Sequence, residues 1–112
     1  MTATVISAID VDTLTRRLGA GEPVTVLDVR PAHERAEWSI PGSLHFDAYE
    51  RLKADDPHAL DELQLPDAIP VVTVCAAGRT SLKAAALLRE RGVSVASLSG
   101  GMKAWSLAWN SA

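Results

Sequence analysis

Cysteine, aromatic side chains, clustered positive charge and long apolar runs are all scarce in this sequence. The 112 residues include a single cysteine, Cys75, so the chain cannot form an internal disulfide and its fold cannot depend on one. Lysine and arginine form no run and the formal net charge is −3, which argues against nucleic acid as a partner, because phosphate binding needs clustered positive charge. No apolar stretch approaches the roughly 20 residues that span a membrane, so we expect no membrane partner either.

The remaining composition is that of an ordinary globular protein. Hydrophobic residues make up 47% of the chain and charged residues 22%, and the length suits one domain, which we predict over residues 1–112. The N-terminal stretch MTATVISAID lacks the basic and long apolar regions of a signal peptide. We therefore expect a cytoplasmic protein.

Short apolar runs rich in β-branched residues alternate with helix-like segments. The candidate strands are Thr4–Ile6, Val24–Val29, Leu44–Phe46, Val71–Val74 and the segment VSVASL. Candidate helices begin at the N-cap Asp10, after Pro31, at Thr80 and in GGMKAWSLAW, and Pro57 divides the acidic middle of the chain into two short helices. This alternation predicts an α/β domain with a mainly parallel sheet.

The helix predicted over Thr80–Gly92 follows directly from the strand Val71–Val74 through the turn CAAGRTS. Its apolar positions, Leu82, Ala85, Ala86 and Leu88, are expected to face the core. Ligands bind at the carboxyl ends of the strands in parallel sheets, and Cys75 lies at such an end. The question is whether this thiol is reactive or simply packs as a small hydrophobe.

Small residues dominate the turn that follows Cys75. Ala76, Ala77 and Gly78 let the main chain curl tightly, so that successive N–H groups can form an anion-binding nest. The next helix adds its free N–H groups and the positive end of its dipole, while Arg79 can add a charge and Ser81 a hydroxyl. Such surroundings favour a thiolate, which is a nucleophile. Inert packing remains open as the alternative at this point.

Three stretches in this order resemble the rhodanese-like sulfurtransferases. CAAGRTS resembles their six-residue active-site loop, LDVRPAHERAEWSIPGSLHF their D-V-R and I-P-G segment, and LSGGMKAW their closing L-x-G-G-x-x-x-W. The resemblance extends from about Val5 to Trp109. It implies a five-stranded, mostly parallel sheet with helices on both faces.

The resemblance also implies a sulfur-transfer cycle with no metal or organic cofactor. Cys75 would take the outer sulfur from a small donor such as thiosulfate, hold it as a persulfide, and pass it to cyanide or a thiol, which a partner protein could carry. The main-chain N–H groups from Ala76 through Thr80 would cradle the persulfide. Many relatives carry Arg at the sixth loop position, where this chain has Thr80, and here the arginine is Arg79, which bears on the choice of donor.

Two other functions are compatible with parts of this pattern. A cysteine-dependent phosphatase or arsenate reductase needs an arginine six residues after the cysteine, where this chain has Ser81. A non-catalytic rhodanese-like module would act in protein contacts or sulfur-stress signalling, although such modules often lose the cysteine. Outside the loop, we interpret Asp28 and Arg30 as a structural ion pair and Trp105 as a core residue beneath the site.

Overall fold

The computed structural model describes residues 7–110, in which five strands and five helices alternate. The strands are β1 (Ser7–Ile9), β2 (Thr25–Asp28), β3 (Leu44–His45), β4 (Val71–Val74) and β5 (Val95–Leu98). The helices are α1 (Val11–Gly19), α2 (Ala32–Glu37), α3 (Tyr49–Lys53), α4 (Thr80–Glu90) and α5 (Gly101–Asn110). The predicted α/β class is confirmed. Within the described range, no helix has the length and apolar character that crossing a membrane would require.

The five strands form one sheet in the order β1-β5-β4-β2-β3, and every pairing between them is parallel. The strand after β2 in the chain lies on one side of the β2–β4 pair, and the strand after β4 lies on the other. Connections therefore leave this pair in opposite directions, which opens a crevice at the carboxyl ends of the two strands. Cys75, directly after β4, stands at that crevice.

Alternating side chains of the central strands enter two apolar cores, one on each face of the sheet. One core joins the sheet to α3 and α4 through Leu27, Val71, Leu52 and Leu88. The other joins it to α1 and α5 through Val26, Val72, Leu14 and Trp105. The prediction of helices on both faces is thus confirmed, and Trp105 is a core residue as expected.

The start of α1 was predicted correctly, because the Asp10 carboxylate accepts a hydrogen bond of 2.8 Å from the Thr13 N–H and caps the helix. The strand predicted at Thr4–Ile6 lies outside the described residues, and β1 begins at Ser7. The strand predicted over Leu44–Phe46 is two residues long.

The second short helix predicted after Pro57 is wrong, since residues 57–62 form consecutive turns. The Asp56 carboxylate accepts from the His58 N–H at 2.8 Å and from Arg51 at 2.9 Å. A side chain that binds nearby main-chain donors in this way competes with helix formation.

The apolar face of α4 also differs from the prediction. Ala85 and Leu88 are buried as expected, but Leu82 is 43% exposed and Ala84 is fully buried. The helix packs against β4, β5 and α3 through the face that carries residues 81, 84, 85 and 88, and Leu82 points away from that face.

Asp28 and Arg30 form the structural ion pair that the sequence predicted. Both are buried, and the Arg30 guanidinium donates to the Asp28 carboxylate at 2.7 Å and to the Trp38 carbonyl at 2.6 Å. Burial raises the pKa of Asp28, but hydrogen bonds from Arg30 and the charges of Arg30 and Arg35 outweigh it and hold the pKa below its ordinary value.

We expect Asp28→Asn to lower the free energy of unfolding by about 3–5 kcal/mol, because it leaves the buried Arg30 charge unpaired. A carboxylate whose folded pKa is lowered stabilises the protein above its unfolded pKa and loses that effect as pH falls through the folded pKa. The difference between wild type and variant should therefore shrink below the ordinary aspartate pKa of about 3.9.

Urea unfolding of both proteins across an acid pH series measures this difference. Asp61→Asn is the matched control, because the Asp61 side chain is 61% exposed and pairs only at the surface with His58; its effect should stay within about 0.5 kcal/mol. A cost for Asp28→Asn that does not vary with pH would contradict the ion-pair explanation.

Candidate active site

The loop after β4 turns back around the sulfur of Cys75. The Gly78 N–H donates to Cys75 Sγ at 3.0 Å. Gly78 has a φ of +104°, and a Cβ at this position would lie 3.3 Å from the main-chain nitrogen of Gly100. Only glycine adopts this conformation without strain in so close a space, so this residue allows the main chain to reach the sulfur.

The first turn of α4 contributes two hydroxyl groups beside the thiol. Ser81 is fully buried and its Oγ lies 3.3 Å from Cys75 Sγ. Thr80 is also buried, and its hydroxyl makes no hydrogen bond of normal geometry with any residue in the described range. The Thr80 O–H is therefore available to a group that binds at the sulfur.

These donors decide the ionisation of the thiol. Burial raises the pKa of Cys75, but the hydrogen bonds with the Ser81 side chain and the main chain at Ser81 and Gly78, together with the nearby Thr80 hydroxyl, outweigh burial. The pKa of Cys75 is therefore lowered from its ordinary value, which increases the thiolate fraction near neutral pH.

The N-terminus of α5 holds the loop in place. The N–H groups of Met102 and Lys103 donate to the carbonyls of Cys75 and Ala76 at 2.8 and 3.0 Å. Helix α5 approaches this closely because residue 101 is glycine: a Cβ there would collide with the Cys75 carbonyl oxygen and the Ala76 peptide. With these two carbonyls bound to α5, the following N–H groups are free to face the sulfur.

A cleft of about 340 Å³ opens at Cys75. Side chains from three elements line it: Ala76, Ala77, Arg79 and Thr80 from the loop and its junction with α4, Lys83 from α4, and Tyr49 and Lys53 from α3. Lys83 Nζ lies 2.9 Å from Asp55 Oδ1, and Lys53 Nζ lies 5.8 Å from the centre of the Tyr49 ring. Cationic side chains therefore line the cleft, at whose base the thiol is 3% exposed.

The structure places all seven predicted site residues, Cys75–Ser81, in one loop and helix start. Gly78 and Ser81 contact the sulfur, while Arg79 lies exposed at the rim without an ion-pair partner among residues 7–110. Asp28 and Arg30 do not line the cleft. No group of three His, Cys, Asp or Glu side chains in the described range is arranged to hold a metal ion.

Sequence reasoning missed three residues of the cleft. Lys83 follows Arg79 by four residues, so helical periodicity could have placed both on one side of the helix start. Tyr49 and Lys53 carried no such signal, because they belong to the acidic middle of the chain and reach the thiol only through the packing of α3 against α4.

The fold and the site together are those of a parallel α/β domain that holds a hydrogen-bonded thiol at the carboxyl end of a central strand. The Rhodanese-like domain family model matches residues 10–108, and the chain belongs to this family. The resemblance inferred from the three sequence stretches is confirmed.

Individual relatives agree with this assignment. The Bacillus subtilis (strain 168) protein named "Putative sulfurtransferase YtwF" is 29% identical over 100 residues, which are 89% of this chain and 90% of that protein. A rhodanese-like domain protein from Staphylococcus aureus has a TM-score of 0.73 at 27% identity, over 89% of this chain and 91% of its own. A rhodanese-related protein from Thermoplasma volcanium has a TM-score of 0.72 at 27% identity, with 88% and 89% covered.

We expect Gly101→Ala to displace the loop, because the new methyl group would collide with the Cys75 carbonyl and residue 101 has a φ of +56°. The variant should lose about 1–3 kcal/mol of stability, and its thiol should react more slowly with iodoacetamide at neutral pH. Urea unfolding and the alkylation rate across pH are the measurements.

Gly19→Ala is the matched control, because a Cβ at Gly19 meets no atom within 4 Å. It should leave both quantities near wild type. A Gly101→Ala protein with unchanged thiol reactivity would show that the contact with α5 does not shape the loop.

Proposed function

We propose that this protein is a sulfurtransferase that carries sulfane sulfur as a persulfide on Cys75. The observation that carries the proposal is a buried thiol that accepts the Gly78 N–H at 3.0 Å, lies 3.3 Å from the Ser81 hydroxyl, and lines a cleft bordered by cations. Membership in the rhodanese-like family, which includes a relative named as a sulfurtransferase, supports the same chemistry.

In the loading step, the Cys75 thiolate attacks the outer sulfur of a donor such as thiosulfate. A bond forms between Cys75 Sγ and that sulfur, the S–S bond of the donor breaks, and sulfite leaves with the bonding electron pair. The persulfide then carries the negative charge on its terminal sulfur. In this proposal the Thr80 hydroxyl and the N–H groups from Ala76 through Thr80 stabilise that charge, and the bond from the Gly78 N–H to Cys75 Sγ supports it.

In the discharge step, cyanide or a thiolate attacks the terminal sulfur and the Cys75–sulfur bond breaks. The products are thiocyanate or a new persulfide, and Cys75 returns as the thiolate. Because the chain has one cysteine, no internal thiol can resolve the persulfide, and the acceptor must come from outside, as a small molecule or a thiol on a partner protein. We propose no cofactor for either step, since nucleophile and leaving group suffice.

The alternative of a phosphatase or arsenate reductase receives no support from the loop. Its arginine would stand at position 81, where the structure has a buried serine beside the sulfur. The only loop arginine, Arg79, is exposed at the rim. A non-catalytic module is the remaining alternative, and it is the reading that a failed loading experiment would favour.

The direct test is intact-mass spectrometry after incubation with thiosulfate, followed by addition of cyanide. The wild type should gain one sulfur atom and lose it with cyanide, while Cys75→Ser should gain none and remain folded. Urea unfolding of Cys75→Ser serves as the folding control. Sulfur transfer by Cys75→Ser at the wild-type rate would exclude the mechanism, and wild type that accepts no sulfur from thiosulfate, polysulfide or organic persulfides would favour the non-catalytic module.

Arg79 should contribute to donor affinity through its charge. We expect Arg79→Gln to raise KM for thiosulfate about two- to fivefold, since an exposed charge contributes modestly, with a smaller change in kcat. The effect should diminish at high salt because screening weakens exposed charges. Steady-state kinetics at two ionic strengths measure it.

Arg17→Gln is the matched control, because it removes the same charge from the exposed surface of α1. An equal rise in KM for both variants would assign the effect to net charge and not to the position of Arg79.

For localisation, we propose the cytoplasm, where thiol acceptors are kept reduced, and cell fractionation tests this.

A further inference from the structure

A chain of buried hydroxyl groups runs from β5 to the sulfur of Cys75. Ser97 of β5 is 2% exposed, and its Oγ lies 2.8 Å from the Oγ of Ser81, which in turn lies 3.3 Å from Cys75 Sγ. Ser97 is absent from the cleft lining, and in the described range its side chain makes its hydrogen bond with Ser81 and none with the sulfur. Any effect of Ser97 on the thiol must therefore pass through Ser81.

The direction of the hydrogen bonds in this chain depends on the ionisation of the thiol. Each serine has one hydroxyl hydrogen to donate. When Cys75 is a thiolate, Ser97 donates to Ser81 and Ser81 donates to the sulfur, so both hydrogens are bound and the anion accepts a bond.

The neutral thiol fits the same chain poorly. With a neutral thiol, the three groups carry three hydrogens, one on the sulfur and one on each serine, for the two contacts between them, so one hydrogen is left without a partner inside the chain. If Ser97 still donates to Ser81 and Ser81 to the sulfur, the last bond is weak because a neutral thiol is a weak acceptor. The hydrogen of the thiol then needs another partner. A buried donor without a partner is costly, so the chain is fully satisfied only when the sulfur is ionised.

We propose that Ser97 is a positioning residue that orients the Ser81 hydroxyl so that it donates to the thiolate of Cys75. This inference rests on the proposed function, for which it supplies the ionised nucleophile. Thr73, the other buried hydroxyl here, has a different role, because its Oγ1 donates to the Ser81 carbonyl at 2.7 Å and not to a hydroxyl.

The charged and titratable side chains around the thiol do not contact Ser97. Those lining the cleft are Tyr49, Lys53, Arg79 and Lys83, and on α5 the nearest is Lys103, whose main chain binds Ala76. None of them makes a hydrogen bond or an ion pair with the Ser97 side chain in the described range, so we attribute a change in the thiol of the variant to the hydroxyl chain.

The test is the rate of alkylation of the only thiol by iodoacetamide, measured across pH on the full chain. Ser97→Ala should move the midpoint of the profile to higher pH and slow alkylation about two- to tenfold at pH values below the midpoint, with no difference at high pH, where every thiol is ionised. If Ser97 served only the packing of the core, Ser97→Ala would unfold at lower urea concentration but its alkylation profile would keep the wild-type midpoint. That result would overturn the proposal.

A matched pair controls for shape and folding. Threonine and valine have the same shape, but only threonine carries a hydroxyl. The midpoint of the alkylation profile of Ser97→Thr should therefore lie at lower pH than that of Ser97→Val. Equal midpoints for the two would overturn the proposal even if Ser97→Ala fails to fold.

A double-mutant cycle with Ser81→Ala tests the route of the effect. Because Ser97 acts through Ser81, adding Ser97→Ala to Ser81→Ala should not move the midpoint further. An additional shift equal to that in the wild-type background would contradict the chain.

Sulfur loading by intact mass separates this inference from the proposed function. Alkylation reports only the thiolate, so a wild-type protein that takes up no sulfur but shows the Ser97 shift would refute the proposed function alone. A protein that loads sulfur while Ser97→Ala leaves the midpoint unchanged would refute the role of Ser97 alone.

Discussion

The site depends on two main-chain hydrogen bonds, from the N-terminus of α5 to the carbonyls of Cys75 and Ala76. These bonds fix the first residues of the loop, whose Gly78 N–H donates to Cys75 Sγ. Helix α5 can approach the loop because residue 101 is glycine, and the positive φ of Gly78 lets the main chain turn back to the sulfur. The loop therefore keeps its curl around the sulfur because another helix holds its outer side.

Two buried acids in this protein show how the surroundings of a group decide its role. Burial alone would keep both Asp28 and Cys75 neutral, and in both cases hydrogen bonds reverse that effect. Asp28 is neutralised by a guanidinium and becomes structural. Cys75 is surrounded by neutral donors, which favour the anion without neutralising it. The thiolate, once formed, thus has no neutralising partner among the described residues and remains available for chemistry at the cleft.

Much of the fold was predictable because local signals and packing agree. The β-branched runs of β2 and β4 are buried on both faces, as parallel strands between helix layers must be, and Asp10 caps α1 through a contact three residues away. The prediction failed where contacts that the hydrophobic pattern does not encode decide the structure, either between distant elements or between nearby side chains and the main chain. Leu82 is exposed because α4 meets α3 and β5 through a neighbouring face, and the turns at 57–62 follow from the side-chain bonds of Asp56.

The sequence by itself determined the loop: Cys75, its small neighbours and the helix start are consecutive, and their chemistry can be read without a structure. Only the tertiary structure decided what surrounds that loop. Lys53 of α3 lines the cleft, the N–H groups of α5 bind the loop carbonyls and Ser97 of β5 contacts Ser81. These residues are distant in sequence and come close to the loop because the parallel strands place their carboxyl ends at one edge of the sheet. Residue order sets local geometry, whereas the packing of separate elements sets the electrostatics at the sulfur.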